Sequence, residues 1–135
     1  MDTILVVDDS PTIRRMVRAA LGSLGGVAFA EAGTGLRAIE VLGMEPVQVV
    51  VLDLNMPDMH GLEVLKFVRA HQAFRQVPVI VLTTRGDEPS RESALAAGAS
   101  LYLTKPFAPQ ALAAHARELL GEGCAVGGEG GMDGE

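Results

Sequence analysis

Residues 49–61 read VVVLDLNMPDMHG. The apolar run Val49–Leu52 lacks polar alternation, which is typical of a strand that is covered on both faces. Asp53 follows this run directly, and Pro57 and Gly61 then signal a turn. A carboxylate at the tip of a buried strand costs free energy unless a partner compensates its charge. The stretch therefore predicts a strand that carries Asp53 to a functional edge of a sheet.

Four further apolar runs of similar length occur along the chain. They alternate with segments in which apolar residues recur at helical spacing. The five runs are Ile4–Val7, Val27–Ala30, Val49–Leu52, Val79–Leu82 and Leu101–Leu103. Ser10 and Pro11 suit the N-cap and first position of the first helix. The alternation predicts an α/β fold, a doubly wound five-stranded parallel sheet with five helices distributed over both faces.

Bulk properties narrow the class of protein. The 135 residues favour one domain, and a hydrophobic content of 48% supplies ample material for a core. No apolar run approaches the length of a membrane helix, and the N-terminus has no basic segment typical of a signal peptide. Cys124 is the only cysteine, and the net charge is −6. We therefore expect a cytoplasmic protein that neither inserts into membranes nor binds nucleic acid.

The negative charge is concentrated near the C-terminus. The segment after Gly121 holds four acids and no Lys or Arg, so residues 1–121 carry 13 acids against 11 bases. This segment is also rich in glycine and offers little apolar surface to bury. We expect a folded domain over residues 1–121 and a flexible acidic tail or linker over residues 122–135.

Polar residues follow all five apolar runs; Glu31, after the second run, is left aside, and the other four runs supply the candidate site. In a parallel sheet the carboxyl ends of the strands share one edge, and ligands bind there. The residues are Asp8 and Asp9 after the first run, Asp53 after the third, Thr83 and Thr84 after the fourth, and Thr104, Lys105 and Pro106 after the fifth. Two carboxylates about 4 Å apart repel by about 4 kcal/mol at an effective dielectric constant near 20. Clustered carboxylates without His or Cys therefore indicate a site for a hard cation such as Mg²⁺.

The same cluster suggests a chemistry for Asp53. An aspartate near Mg²⁺ and an ammonium group can attack phosphorus and form an aspartyl phosphate. Phosphoryl transfer requires in-line placement and neutralisation of charge, which the metal, Lys105 and the hydroxyl of Thr83 could supply. We interpret Asp53 as a phosphoacceptor.

Four segments together resemble the receiver domains of two-component response regulators. They are ILVVDDS, VVVLDLNMPDMHGLEVL, VIVLTT and LYLTKPF, and the resemblance extends from Thr3 to about Leu120. The segment NMPDMHGLE is most similar to single-domain chemotaxis regulators of the CheY type. The resemblance implies a flavodoxin-like strand order of 2-1-3-4-5, for which CheY is itself a reference example. It also implies a signalling switch in chemotaxis or motility rather than an enzyme with an external substrate.

The resemblance implies a role for each residue around the acidic cluster. Asp53 would accept the phosphoryl group from a phosphohistidine of a histidine kinase. Asp8 and Asp9 would form the acidic pair that binds Mg²⁺, with Asp9 as the direct ligand. Asp53 and the backbone carbonyl of Asn55 would complete the protein ligands. The Asn55 side chain would also tune the rate of dephosphorylation.

The resemblance further implies how phosphorylation changes the surface. Thr83 would bond a phosphoryl oxygen, and Lys105 would pair with the phosphate. Tyr102 would turn inward as Thr83 moves and remodel the face formed by the fourth helix, fifth strand and fifth helix, where a downstream protein binds. Thr84 and Arg85 occupy positions that tune access of the phosphodonor and the lifetime of the phosphate.

Other functions match parts of the pattern. A phosphatase of the haloacid dehalogenase type also uses a strand-end aspartate and Mg²⁺, but it places its general acid where this chain has Asn55. A flavodoxin-like domain would bind the phosphate of FMN at the loop where Asp8 and Asp9 would repel it. A receiver that signals by binding alone, or a receiver fragment of a larger hybrid kinase, stays open as an alternative.

Overall fold

The computed structural model describes residues 2–84 and 88–128. Five strands alternate with five helices. The strands are β1 (Asp2–Val7), β2 (Val27–Ala32), β3 (Val49–Asp53), β4 (Val79–Thr84) and β5 (Leu101–Lys105). The helices are α1 (Pro11–Gly22), α2 (Gly35–Met44), α3 (Gly61–Ala70), α4 (Glu88–Ala96) and α5 (Pro109–Gly128). All strand pairs are parallel, in the order β2-β1-β3-β4-β5, which confirms the predicted fold class and topology.

The central strands are covered on both faces. In β1, Leu5 and Val7 point into one apolar cluster, and Ile4 and Val6 point into the other. The first cluster includes side chains from α2, α3 and α4, whereas the second includes side chains from α1 and α5. Every residue of β3 is buried. Burial on both faces explains why the strand sequences are continuously apolar rather than alternating.

Local capping fixes the helix starts near the carboxyl edge of the sheet. Ser10 accepts a hydrogen bond from the N–H of Ile13, and Pro11 is the first residue of α1, as the sequence predicted. His60 precedes α3, and its Nδ1 accepts a hydrogen bond from the N–H of Leu62 at 3.1 Å. The sequence had suggested no role for His60.

The last helix continues past the predicted end of the folded domain. α5 extends to Gly128, although the sequence predicted a boundary at Gly121. Residues 129–135 lie outside the described residues, so the flexible tail stays a prediction. Within the described ranges, no helix is both long enough and apolar enough to cross a membrane.

Candidate functional site

Three strands place charged side chains at one edge of the sheet. Asp8 and Asp9 directly follow β1, while Asp53 and Lys105 are the last residues of β3 and β5. β1 lies between β2 and β3, so the strand order changes direction beside the carboxylates. The crevice at such a switch point is where open α/β sheets bind ligands.

Lys105 bridges two buried carboxylates. Its Nζ donates to Oδ2 of Asp8 at 2.8 Å and to Oδ1 of Asp53 at 3.3 Å. Asp8 and Asp53 are each 3% exposed, and the Lys105 side chain is 18% exposed. The side chain therefore crosses from β5 to groups presented by β3 and β1. The peptide bond between Lys105 and Pro106 is cis.

Three carboxylates converge at this edge. Oxygen atoms of Asp8, Asp9 and Asp53 all lie within 4.8 Å of one another. Asp9 is exposed, whereas the other two are buried. A set of carboxylate oxygens, one of them open to solvent, fits a hard divalent cation that retains part of its water shell. The cluster could therefore hold a metal ion.

The ionisation of the site reflects burial and an excess of negative charge. Burial raises the pKa of Asp53, and the charge of Asp8 raises it further, against the lowering effects of Lys105 and the backbone N–H of Asn55. Burial alone would lower the pKa of Lys105, but hydrogen bonds and attraction from Asp8 and Asp53 outweigh it, so this pKa is raised. Ionised Asp53 is thus costly in the site as it stands, and an additional cation would relieve that cost.

Asp8 has further hydrogen-bond partners besides Lys105. Its Oδ1 accepts the N–H of Ser10 at 2.9 Å, and its backbone carbonyl accepts a hydrogen bond from Arg14 at 2.6 Å. The guanidinium groups of Arg14 and Arg18 both pair with Glu31, at 2.8 and 2.9 Å. Because Glu31 stands on β2, which pairs with β1, only the sheet order could reveal this support.

Thr83 and Tyr102 lie on β4 and β5, the two strands beyond β3 in the sheet. Thr83 is fully buried in β4, one residue beyond the position that pairs with Asp53. Tyr102 on β5 is 7% exposed and belongs to the cluster that packs against α2, α3 and α4. The guanidinium carbon of Arg91 lies 5.6 Å from the centre of the Tyr102 ring. The ring is therefore turned toward the interior.

The remaining candidate residues lie around the rim. Asn55 is exposed in the loop after β3, and its backbone N–H donates to the Asp53 carboxylate. Thr84 is the last residue of β4, but the placement of its side chain lies outside what the structure describes. Arg85 also lies outside the described residues. The tuning roles of these three residues stay predictions.

Comparison with known proteins identifies the family. The sequence pattern of the response regulator receiver domain matches residues 4–117. The chain belongs to the response regulator receiver family. This membership confirms the resemblance stated from the sequence, and it sets aside the phosphatase and flavodoxin alternatives.

The relatives of this receiver include chemotaxis proteins. It is 42% identical over 125 residues to the chemotaxis protein CheY homolog of Campylobacter jejuni, covering 92% of this chain and 96% of that protein. It is 41% identical over 119 residues to the chemotaxis protein CheY1 of Helicobacter pylori, covering 87% and 96%. The structure of the chemotaxis response regulator CheY4 of Vibrio cholerae matches with a TM-score of 0.80 at 33% identity, covering 88% of this chain and 98% of that one. This receiver is a phosphorylation-dependent signalling switch.

Proposed function

We propose that Asp53 of this receiver accepts a phosphoryl group from a histidine kinase in an Mg²⁺-dependent reaction. The observation that carries the proposal is the Lys105 bridge, in which one ammonium group contacts both Asp8 and the buried Asp53. A nucleophile that is already paired with a cation on a distant strand is suited to receive an anionic group.

The carboxylate cluster suits Mg²⁺ among the hard cations. Mg²⁺ is bound by a small number of carboxylates together with water and phosphate oxygens. Asp8, Asp9 and Asp53 would hold it, together with the backbone carbonyl of Asn55. When bound, the ion supplies neutralisation of the negative charge on the phosphoryl oxygens.

The chain's own residues would carry out the remaining tasks. A carboxylate oxygen of Asp53 attacks phosphorus, the new O–P bond forms, and the P–N bond to the donor imidazole breaks. Lys105 Nζ, 3.3 Å from Asp53 before transfer, would then pair with the phosphoryl group. The hydroxyl of Thr83 would bond another phosphoryl oxygen. In this way the receiver would assist its own phosphorylation. The same groups would assist dephosphorylation, in which water attacks phosphorus, a new O–P bond forms and the O–P bond to Asp53 breaks.

The output would be a change in binding affinity. Contacts from Thr83 and Lys105 to the phosphoryl group would favour one arrangement of β4, β5 and α4, in which Tyr102 is held in the inward position that it has here. A partner that prefers this arrangement binds the phosphorylated receiver more tightly. The α4–β5–α5 face is the proposed partner surface. The chemotaxis relatives support a role in chemotaxis or motility, and we propose that this role is carried out in the cytoplasm.

The test is phosphorylation by acetyl phosphate. Wild type, Asp53→Asn and Asp2→Asn are incubated with the donor, with and without Mg²⁺, and their intact masses are recorded. Asp2 is the matched control because it stands at the opposite end of β1. The sequence contains no tryptophan, so mass is a more direct readout than fluorescence quenching.

A single Mg²⁺-dependent phosphoryl adduct on wild type and Asp2→Asn, absent from Asp53→Asn, is the expected result. No adduct from acetyl phosphate or from a phosphorylated histidine kinase would contradict the proposal. That outcome would favour a receiver that signals by binding alone.

A further inference from the structure

We propose that Asp58 is a positioning residue that fixes the loop carrying Asn55 and thereby sets the affinity of the site for Mg²⁺. The inference rests on the proposed function, because it takes the Asn55 carbonyl as a ligand. Asp58 is exposed and belongs to neither the acidic cluster nor the Lys105 bridge.

Asp58 joins two segments that are distant in sequence. One carboxylate oxygen accepts the N–H of Gly35 at 2.9 Å, and the other accepts the N–H of Leu36 at 3.0 Å. These donors are the first two residues of α2, where backbone N–H groups have no partner within the helix. The two hydrogen bonds lower the pKa of Asp58, which therefore stays ionised at neutral pH.

The Asp58 contacts are separate from the helix's own cap. The hydroxyl of Thr34 accepts a hydrogen bond from the N–H of Arg37 at 3.1 Å and caps α2 from within its own segment. Asp58 binds two other donors of the same turn. Its bonds therefore tie the loop between β3 and α3 to α2.

A second contact closes the loop at its base. The N–H of Gly61 donates to the carbonyl of Leu54 at 2.8 Å. A Cβ atom on Gly61 would lie 2.7 Å from the Cα of Leu54, so the two ends of the loop approach as closely as glycine allows. The loop is thus fastened at its base by Gly61 and near its apex by Asp58.

The side chain next to Asp58 reinforces the apex. Gly35 leaves space that Met59 fills, because a Cβ on Gly35 would overlap the Met59 side chain, with Sδ at 2.8 Å. Asn55 and Pro57, in contrast, are exposed. Met56 and Met59 pack against the first apolar cluster, and the hydrogen bonds of Asp58 add a polar tie to α2 beside those contacts.

A metal ion binds more tightly when its ligands are already in place. If the apex is released, the Asn55 backbone must be ordered at the moment of binding, and that ordering has an entropic cost. Groups that orient metal ligands change affinity by about 10- to 100-fold when removed. Because Asp58 acts through the loop backbone, we expect a loss near the lower limit, about tenfold.

The experiment compares two caps of the same helix. Wild type, Asp58→Ala, Asp58→Asn and Thr34→Ala are titrated with Mg²⁺, and the dissociation constant is obtained from the Mg²⁺ dependence of the unfolding free energy. Hydrogen exchange over residues 54–61 is measured in metal-free buffer. Thr34→Ala removes the other cap of α2 and leaves the Asp58 side chain and its two donors in the chain. Asp58→Asn keeps an acceptor oxygen.

The expected result is that Asp58→Ala weakens Mg²⁺ binding about tenfold and speeds exchange in the loop. Asp58→Asn should fall between Asp58→Ala and wild type, and Thr34→Ala should bind Mg²⁺ as wild type does despite lower stability. Equal affinity in Asp58→Ala and Thr34→Ala would overturn the inference and leave the proposed function standing. If wild type itself showed no response to Mg²⁺, the proposed function would fall and this inference with it.

Discussion

The substitution Asp53→Asn is expected to stabilise the metal-free protein. It replaces a buried carboxylate by a neutral side chain of nearly the same shape that still offers an oxygen to the N–H of Asn55. The pKa of Asp53 is raised chiefly by burial and next by Asp8, so the ionised form costs the folded state free energy at neutral pH. The substitution removes that cost.

The magnitude follows from the distances in the site. Repulsion between Asp53 and Asp8, with oxygens within 4.8 Å, amounts to about 3.5 kcal/mol at an effective dielectric constant of 20. Attraction to Lys105 at 3.3 Å amounts to about 5 kcal/mol on the same basis. Desolvation of one ion adds a cost of several kcal/mol and turns the balance against the carboxylate. We expect a net gain of about 2 kcal/mol in the free energy of unfolding.

The assay is urea denaturation in metal-free buffer. A gain of about 2 kcal/mol corresponds to a rise of about 1 M in the urea midpoint. Glu40→Gln is the control, because the exposed pair of Glu40 with Arg37 should contribute less than about 1 kcal/mol. Addition of Mg²⁺ should stabilise wild type more than Asp53→Asn and so reduce the difference between their urea midpoints. A metal-free midpoint for Asp53→Asn at or below that of wild type would refute the reasoning.

The raised pKa of Asp53 also determines how the difference in urea midpoint between wild type and Asp53→Asn depends on pH. Because the pKa of Asp53 is raised in the folded state, the cost of its ionisation is present at neutral pH and disappears as pH falls. The midpoints of wild type and Asp53→Asn should therefore converge below the unfolded pKa, near 3.8. A gap that widened on acidification in metal-free buffer would be incompatible with a raised pKa.

Other substitutions test the switch and the scaffold. Lys105→Ala should retain the fold, as judged by circular dichroism, but the phosphorylated variant should not gain affinity for a phosphorylation-dependent partner; wild-type affinity in a binding titration would exclude the proposed role. Gly61→Ala should lower the free energy of unfolding by about 1–3 kcal/mol, because a Cβ would press on the backbone at the end of β3. Gly43→Ala has open space around it and should raise the free energy of unfolding by up to about 1 kcal/mol. Equal urea midpoints for the two variants would contradict both predictions. Arg69→Lys should lower the free energy of unfolding by about 2 kcal/mol. The guanidinium donates to three backbone carbonyls, that of Gly98 among them, and a single ammonium group cannot replace all three hydrogen bonds. A urea midpoint within experimental error of wild type would show that these hydrogen bonds contribute little.

The sequence predicted the parts of the molecule that depend on short-range patterns. Continuous apolar runs predicted strands buried on both faces, and Ser10 with Pro11 predicted the start of α1. The strand order could be predicted only from the family resemblance. The pattern of apolar residues predicts that the strands are parallel and buried, but it does not show which strands are neighbours. The convergence of Asp8 and Asp53 at one edge did not need that order, because the carboxyl ends of all strands in a parallel sheet share one edge.

The residues that support the site were not predictable in the same way. The partner of Asp58 lies 22 to 23 residues earlier in the chain, and Glu31 meets Arg14 from 17 residues away. Each of these side chains resembles an ordinary surface charge in the sequence. Their roles depend on how loops approach across the sheet edge, and no local pattern encodes that approach.

The charges at the edge favour a proposed response toward β4 and β5. Three carboxylates converge there around one ammonium group, an excess of negative charge that a divalent cation would balance. Phosphorylation of Asp53 would add negative charge to that balanced site, close to Lys105 on β5 and Thr83 on β4. Both groups stand on the half of the sheet that also carries Tyr102, away from β1 and β2. Motion drawn toward the phosphoryl group would therefore rearrange the α4–β5–α5 face and leave the Arg14–Glu31 side in place.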